Sequence, residues 1–554
     1  MKSKNKQFVL LIVILLALPI VSINLSISNL ASVQDLEHNS SFENLKSSTI
    51  YNNTITIDDD NPSLDWATRR AAGICTGSGT SGDPYIISND AFDVAPAAIC
   101  LYIRDSRKHF KVVNCVFISG TVEAIFLYNT TNGVIEDNQM TGFTYGIDVN
   151  NCTDLTFSNN NCSSGVVGLL IQNSKDLSFI SNDVNENTAH GFDLDNCNDC
   201  LFEDNTVNEN GLSGFLVLTC DSNIFRDNTM YNNTISGIVL GTSGFNQLDS
   251  NTMELNDVGV WLSSSSSFNT ISHNTVNNNV DDGIFNSDSD YNEFIDNTCN
   301  HNGDEGAFIV DSDHIIFSGG TLYNNTGHGL SVDNGINITI SSNHAYHNYQ
   351  NGIQLWAIDQ SLIENNNAHD NNWNGIRIRN GCLQNIVQEN LAQYNNLSGI
   401  YLFNTADNNL LYDNTASYNE EHGIFLEFAD DNVLLSNDAN NNNENGIHLL
   451  DSNDNTLMSN TANNNNNGTY LETSDNNIVF NNIFLGNSDC YNETGSTGNV
   501  FKDNTCTSTS AEVPATPLDP FILGLLIGLV IGFGVLAAVL VLSFLRGRKE
   551  GRKE

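Results

Sequence analysis

Residues 423–445 read GIFLEFADDNVLLSNDANNNNEN, and residues 446–467, GIHLLDSNDNTLMSNTANNNNN, repeat them almost place for place. Each unit opens on a glycine. Apolar residues follow one and three places on (Ile424/Leu426, Ile447/Leu449), which is the period-two alternation of a short strand with one buried face. A further apolar residue stands at eleven places (Leu434, Leu457) and a small one at sixteen (Ala439, Ala462). Asparagines stand at nine, fourteen and nineteen places: Asn432, Asn437 and Asn442, then Asn455, Asn460 and Asn465. Outward from these two units, the glycine recurs from Gly146 to Gly468 at intervals of 22, 23 or 24 residues, and Ala124 opens one earlier unit in register. Three strand-like pieces per unit, with no helical period, predict a solenoid whose units stack.

The composition follows from that repeat. The chain of 554 residues holds 90 asparagines, most of them at the corners between strands. Asparagine tolerates left-handed backbone, and its amide both donates and accepts, so identical amides one coil apart can form ladders along the axis. Cysteine shares the small position six places after the glycine with serine: Cys197 and Cys220 occupy it in adjacent coils, as a disulfide or as two buried thiols. Cys162, Cys299 and Cys506 fall at another inward place.

The coils resemble those of right-handed parallel β-helix proteins, and the segment Gly77–Ile87 (GSGTSGDPYII) resembles the start of NosD-like β-helix domains. The resemblance implies an all-β, single-stranded right-handed parallel β-helix of about 16 coils over residues 98–506, roughly 75 Å long at one strand spacing per coil. Residues 35–97 are expected to form its N-terminal cap. In that broad group the scaffold serves polysaccharide lyases, glycoside hydrolases, carbohydrate binders and a copper-accessory branch. Fold alone does not choose among them.

Both ends address the chain to a membrane. Lys2, Lys4 and Lys6 precede an apolar run from Phe8, so residues 1–34 read as a signal peptide or signal anchor. Residues 507–520 read as a stalk. Residues 521–545 carry no charge and suffice for one transmembrane helix, and the basic tail 546–554 places the C-terminus in the cytoplasm. The expected location is therefore the cell membrane, single pass, with the large domain outside, where N-x-S/T sequons such as Asn129 and Asn337 suit a glycoprotein. Formal charge is -45. Setting the two terminal addresses aside leaves 12 basic against 63 acidic residues, a net of -51, which excludes nucleic acid as a partner.

Alternation exposes the second and fourth places of the first strand, and stacking turns them into a stripe. The residues expected to bind a glycan or a neighbouring surface protein there are Trp261, Phe285, Phe308, Trp356, Tyr401, Phe403 and Tyr470. The other readings of the stripe are cover by loops or a second copy, or rings packing on one another. For an enzymatic alternative, a membrane-tethered lyase or hydrolase, the candidate catalytic groups are Asp193, Asp195, Arg377, Arg379 and Glu427. No metal centre is expected. Asp281, Asp282, Asp311 and Asp313 are candidates for Ca2+, against a solvated acidic surface, and His344 with His347 shows no ligand pattern. A spacer without ligand and a NosD-like metal-accessory protein complete the alternatives.

Overall fold

The structure, a computed structural model, describes residues 49–94, 98–119 and 122–507. Among these, the chain winds into an all-β, right-handed parallel solenoid of about 18 turns. Each strand pairs in parallel with its counterpart one coil later. On the first sheet Phe192 meets Phe215, which meets Ile238; on the second Phe202 meets Phe225; on the third Met230 meets Met253. The places one and three after each glycine point inward, as in Phe215–Leu218, where Phe215 and Val217 are fully buried. Phe157, Phe179, Phe202 and Phe225 stack at 4.6–4.9 Å along the interior.

The asparagine ladders form as the repeat predicts. The backbone N–H of Asn182 donates to Asn205 Oδ1 at 3.0 Å; its Nδ2 donates to the same oxygen at 2.9 Å and to Phe157 O at 3.0 Å. One column runs without a break from Asn187 to Asn487. The left-handed residue, however, is the one before each ladder asparagine: Asp204, Glu209 and Ser222 have φ of 55°, 56° and 60°, whereas Asn205, Asn210 and Asn223 do not. The bend is made by a residue whose side chain leaves the coil, and the asparagine after it keeps its amide aligned with the axis. Even Phe245, Phe268 and Tyr291 take that bend (φ 57–63°) and stack outside the coil at 4.7–5.0 Å.

The solenoid reaches back into the segment expected to be a cap. Ile55–Asp58 pairs with Leu101–Arg104, and Tyr85–Ser88 with Phe110–Val113. Between them the chain makes an excursion containing the helix Trp66–Ala71, capped by Asp65, whose carboxylate accepts from Thr68 N at 2.8 Å. This excursion closes the open edge. Asp58 N donates to Leu64 O, Arg69 Nε donates to Thr56 O, and buried Trp66 stacks on Tyr85 at 5.0 Å. At the other end Cys490 and Cys506 form a disulfide with Cα atoms 5.8 Å apart, so Cys506 is not a plain filler. Cys197 and Cys220 stay unbridged: Cys220 Sγ accepts the Cys197 N–H at 3.1 Å, the role that Ser243 Oγ plays for Cys220 at 3.0 Å.

The expected leader 1–34, residues 508–520 of the stalk, the transmembrane segment 521–545 and the tail 546–554 lie outside the described residues. Among the described residues no helix is long and apolar enough to cross a membrane.

Candidate functional site on the outer face of the first sheet

Register places the expected stripe in two adjacent columns. One runs Gln354, Arg377, Tyr401, Phe425, His448, Tyr470; the other runs Asp333, Trp356, Arg379, Phe403, Glu427. An upstream run joins Trp261 to Phe285 and Phe308. Most of these side chains are half-buried, but Trp261 is only 6% exposed, so a ligand gains little area from it.

The rings do not offer their faces to solvent. Tyr401 stacks on Phe425 at 4.9 Å, Phe425 on His448 at 4.8 Å and His448 on Tyr470 at 4.9 Å, with interplanar angles of 6°, 14° and 12°. A coil spacing near 4.8 Å nearly equals a ring-stacking distance. Side chains repeated in register therefore cover one another, and their edges line the surface.

The polar groups are concentrated between Asp333 and Glu472. The Arg379 guanidinium lies 4.3 Å over Trp356, and that of Arg377 lies 5.2 Å from Tyr401 and 5.4 Å from Phe403. Among the described residues neither arginine has a carboxylate within ion-pairing distance. Both Nε–H groups are buried without an acceptor, and burial lowers both pKa values. The Tyr401 hydroxyl donates to Glu427; burial first, and then that carboxylate, raise the phenol pKa. His422 Nε2 lies 3.1 Å from His448 Nδ1 and 3.2 Å from Glu444, and His448 Nε2 lies 3.6 Å from Glu472. Burial pulls His422 down to about 3 and His448 to about 4, so both rings are neutral at pH 7.

The candidate catalytic residues do not form one constellation. Arg377, Arg379 and Glu427 share this region, but Asp193 and Asp195 lie eight coils earlier, roughly 40 Å away at one strand spacing per coil. Asp195 accepts from Thr219 Oγ1 at 2.9 Å, and Asp193 is pushed up to about 6 by burial and then by Asp195. Asp333, His422 and Glu444 escaped the sequence reading. Asp333 was recoverable by continuing the Trp356 column one coil back; the other two stand just before or near the glycine, outside the stripe's two places.

Of the candidate calcium ligands, Asp281 and Asp282 converge with Asp304, their carboxylate oxygens lying within 4.8 Å of one another. Asp311 and Asp313 are engaged elsewhere: they accept from Asn334 Nδ2 at 2.6 Å and from the Ile336 N–H at 2.8 Å. Burial, followed by Asp281, pushes Asp282 up to about 8. Burial and then Asp282 push Glu305 up to about 10.

These buried carboxyls set a pH dependence. Asp148 at about 7, Asp282 at about 8 and Glu305 at about 10 hold protons in the folded chain that the unfolded chain releases near 3.8 to 4.5, so the stability they give at acid pH is lost progressively as pH rises through those folded values. His422 and His448 act oppositely, but only below their unfolded value of 6.5. Thermal melts should therefore show Tm falling between pH 6.5 and 8.5, and the double change Asp282→Asn/Glu305→Gln should flatten that fall. A flat wild-type profile would contradict the assignment.

Residues 97–253 match the family described as "Right handed beta helix region", and residues 279–415 and 380–514 match "Periplasmic copper-binding protein (NosD)". Among curated proteins no match was found. Solved structures similar to this chain include the Dettilon tailspike protein (14% identity, 46% of this chain and 54% of that one, TM-score 0.32). The periplasmic alginate epimerase AlgG follows at 13% identity over 82% and 85% of the two chains, TM-score 0.30. The A-module of mannuronan C-5 epimerase AlgE6 of Azotobacter vinelandii is 11% identical over 75% and 92%, TM-score 0.25. The chain spans about half the length of the tailspike it matches, and at these identities the likeness concerns the fold alone.

Proposed function

The chain is a right-handed β-helix repeat protein, and on that premise we propose that it is a membrane-anchored surface protein that binds extracellular glycans along the outer face of its first sheet, between Asp333 and Glu472. The observation that carries this reading is the pair Arg377 and Arg379, half-buried guanidiniums without a carboxylate partner in a chain of charge -45. The two half-exposed guanidiniums hold positive charge on this face, which the oxygen acceptors of a glycan complement. Trp356, Tyr401 and Phe403 bracket the pair, while Glu427 and Glu472 supply further acceptors for hydroxyls. Such a row, repeated coil after coil, suits a polymer better than a small molecule. The surrounding acidity repels polyanions except where Arg377 and Arg379 stand or a divalent cation such as Ca2+ bridges. Neutral glycans, or glycans with an isolated carboxylate, are the expected ligands. Anchoring rests on the uncharged run 521–545 and the basic residues after it.

Binding of the full chain to a polysaccharide panel, with and without Ca2+, tests the reading. A retained glycan should lose at least tenfold in affinity with Arg377→Ala/Arg379→Ala. Unchanged binding to every glycan would remove the first-sheet face from consideration, and release of shortened or unsaturated sugar would make the protein a hydrolase or lyase instead of a binder.

A further inference from the structure

The corner between the first and second strands carries an arrangement that stands apart from the first-sheet face. Phe245, Phe268, Tyr291 and His314 occupy the same place in four successive coils, with φ of 57–63°. Elsewhere that place holds small or polar residues that suit the bend: Asp199, Ser222, Asp431 and Asp454 have φ of 55–60°. A bulky ring in left-handed backbone is strained, and these four gain no core packing in return. Phe245 is 40% exposed, and the rings stack outside the coil at 5.0, 4.7 and 4.4 Å as a fin running along the axis. Strain of this kind collects where a chain meets a ligand.

A groove of about 230 Å3 lies at the foot of the fin. It is lined by the rings of Phe245, Phe268 and Tyr291 and by the outward column Gln247, Thr270 and Glu293, in which Gln247 stands opposite Thr270 and Thr270 opposite Glu293. Beneath them the ladder amides are already engaged, Asn246 Nδ2 donating to Asn269 Oδ1 at 3.1 Å. The last ring of the fin is pinned, since Asn337 Nδ2 donates to His314 Nε2 at 3.2 Å. Stacking hides the electron-rich faces between the rings and turns their electron-poor edges outward. A cation seeks ring faces; the oxygen atoms of a sugar suit the edges.

We propose that the fin and its groove bind a neutral saccharide, as a site separate from the first-sheet face. The ring edges cover the C–H surface of a sugar, while the Gln247 amide and the Thr270 hydroxyl each donate to and accept from its hydroxyls. An apolar partner would desolvate these two side chains without giving them hydrogen bonds. Acidic sugars are repelled by Glu293 and by Asp290, the residue before Tyr291. From Gln247 to Glu293 the column covers two coil spacings, roughly 10 Å, so the ligand is a short run of sugar rings lying along the axis. The site lies on another sheet from Arg377 and Arg379, and either reading can fail without the other.

Titration calorimetry of the full chain in detergent with cellohexaose, mannohexaose and laminarihexaose tests the site. At least one of them is expected to bind, and Phe245→Asn/Phe268→Asn should weaken it at least about tenfold. Thr270→Val, which removes only the hydroxyl, should weaken it about fivefold. Asparagine tolerates left-handed backbone, so the Phe245→Asn/Phe268→Asn chain should melt at or above the wild-type Tm. A sugar whose affinity falls with Arg377→Ala/Arg379→Ala but not with this variant occupies the first-sheet face and overturns the fin site alone; the reverse pattern sustains the fin and removes the first-sheet face. The proposal is also overturned if none of the three sugars binds, if hexalysine binds in their place and is lost with Phe245→Asn/Phe268→Asn, or if that variant melts well below the wild type, which would make the rings structural.

Discussion

Asn371→Ala is expected to lower stability by about 3–5 kcal/mol, while Asn372→Ala, one residue away, changes it by less than about 0.5 kcal/mol. The contrast follows from the ladder. Asn371 is fully buried; its Oδ1 accepts from both Asn348 N and Asn348 Nδ2 at 3.1 Å, and its Nδ2 donates to Ala345 O at 3.0 Å and to Asn395 Oδ1 at 3.1 Å. Truncation strands polar groups on both neighbouring coils at once, in an interior that admits no substitute partner. Asn372 makes an exposed contact with Asn396, where water replaces it. Urea unfolding of the two variants checks this, with hydrogen exchange around residues 345–395 as a local readout. Equal losses in both variants would mean that the ladder contributes nothing beyond its composition.

Gly399→Val should be as damaging, for a steric reason. A Cβ at Gly399 would lie 2.7 Å from Asn419 Nδ2 and 2.8 Å from the carbonyl oxygens of Ala392 and Gly423. Two of these three atoms are backbone, so relief requires moving whole coils apart. A loss of about 3 kcal/mol or more is expected, read as a fall in Tm and in folded yield. Gly82→Ala, whose Cβ meets nothing within 4 Å and whose φ is ordinary, should have no measurable effect. If Gly399→Val melts with the wild type, the recurring glycine has some other cause.

These two cases also show how far the fold was readable. The spacing of Gly399, Gly423 and Gly446 carries the coil length, and the residues one and three places on carry the buried face, because a periodic stack forces each inward place to be apolar, small or an amide. What period alone could not carry was anything lying between coils. The left-handed bend belongs to the residue before the asparagine, a place whose outward side chain is free to vary from Asp204 to Phe245 and therefore shows no repeat. The first coil was hidden because the excursion through Trp66–Ala71 separates its strands by more than one repeat length. At the candidate site, the columns of Arg377 and Tyr401 were legible, but the use of ring faces was not, since it depends on side-chain tilt. His344 was read beside His347, its neighbour in sequence; its neighbour in space, His369, is one coil and two residues away.

Because most coils offer the next a ladder amide, the glycine seam and an apolar inward face, the repeat itself sets no number of coils. Among the described residues the two ends depart from the repeat, with the Trp66 excursion on one side and the Cys490–Cys506 bridge on the other. Gain or loss of one whole unit of 22–24 residues by unequal exchange in the gene preserves every contact type and changes only the distance between those ends, by roughly 4.8 Å. Reach is thus an inheritable variable independent of foldability, and a lineage can lengthen or shorten this protein in steps of one coil.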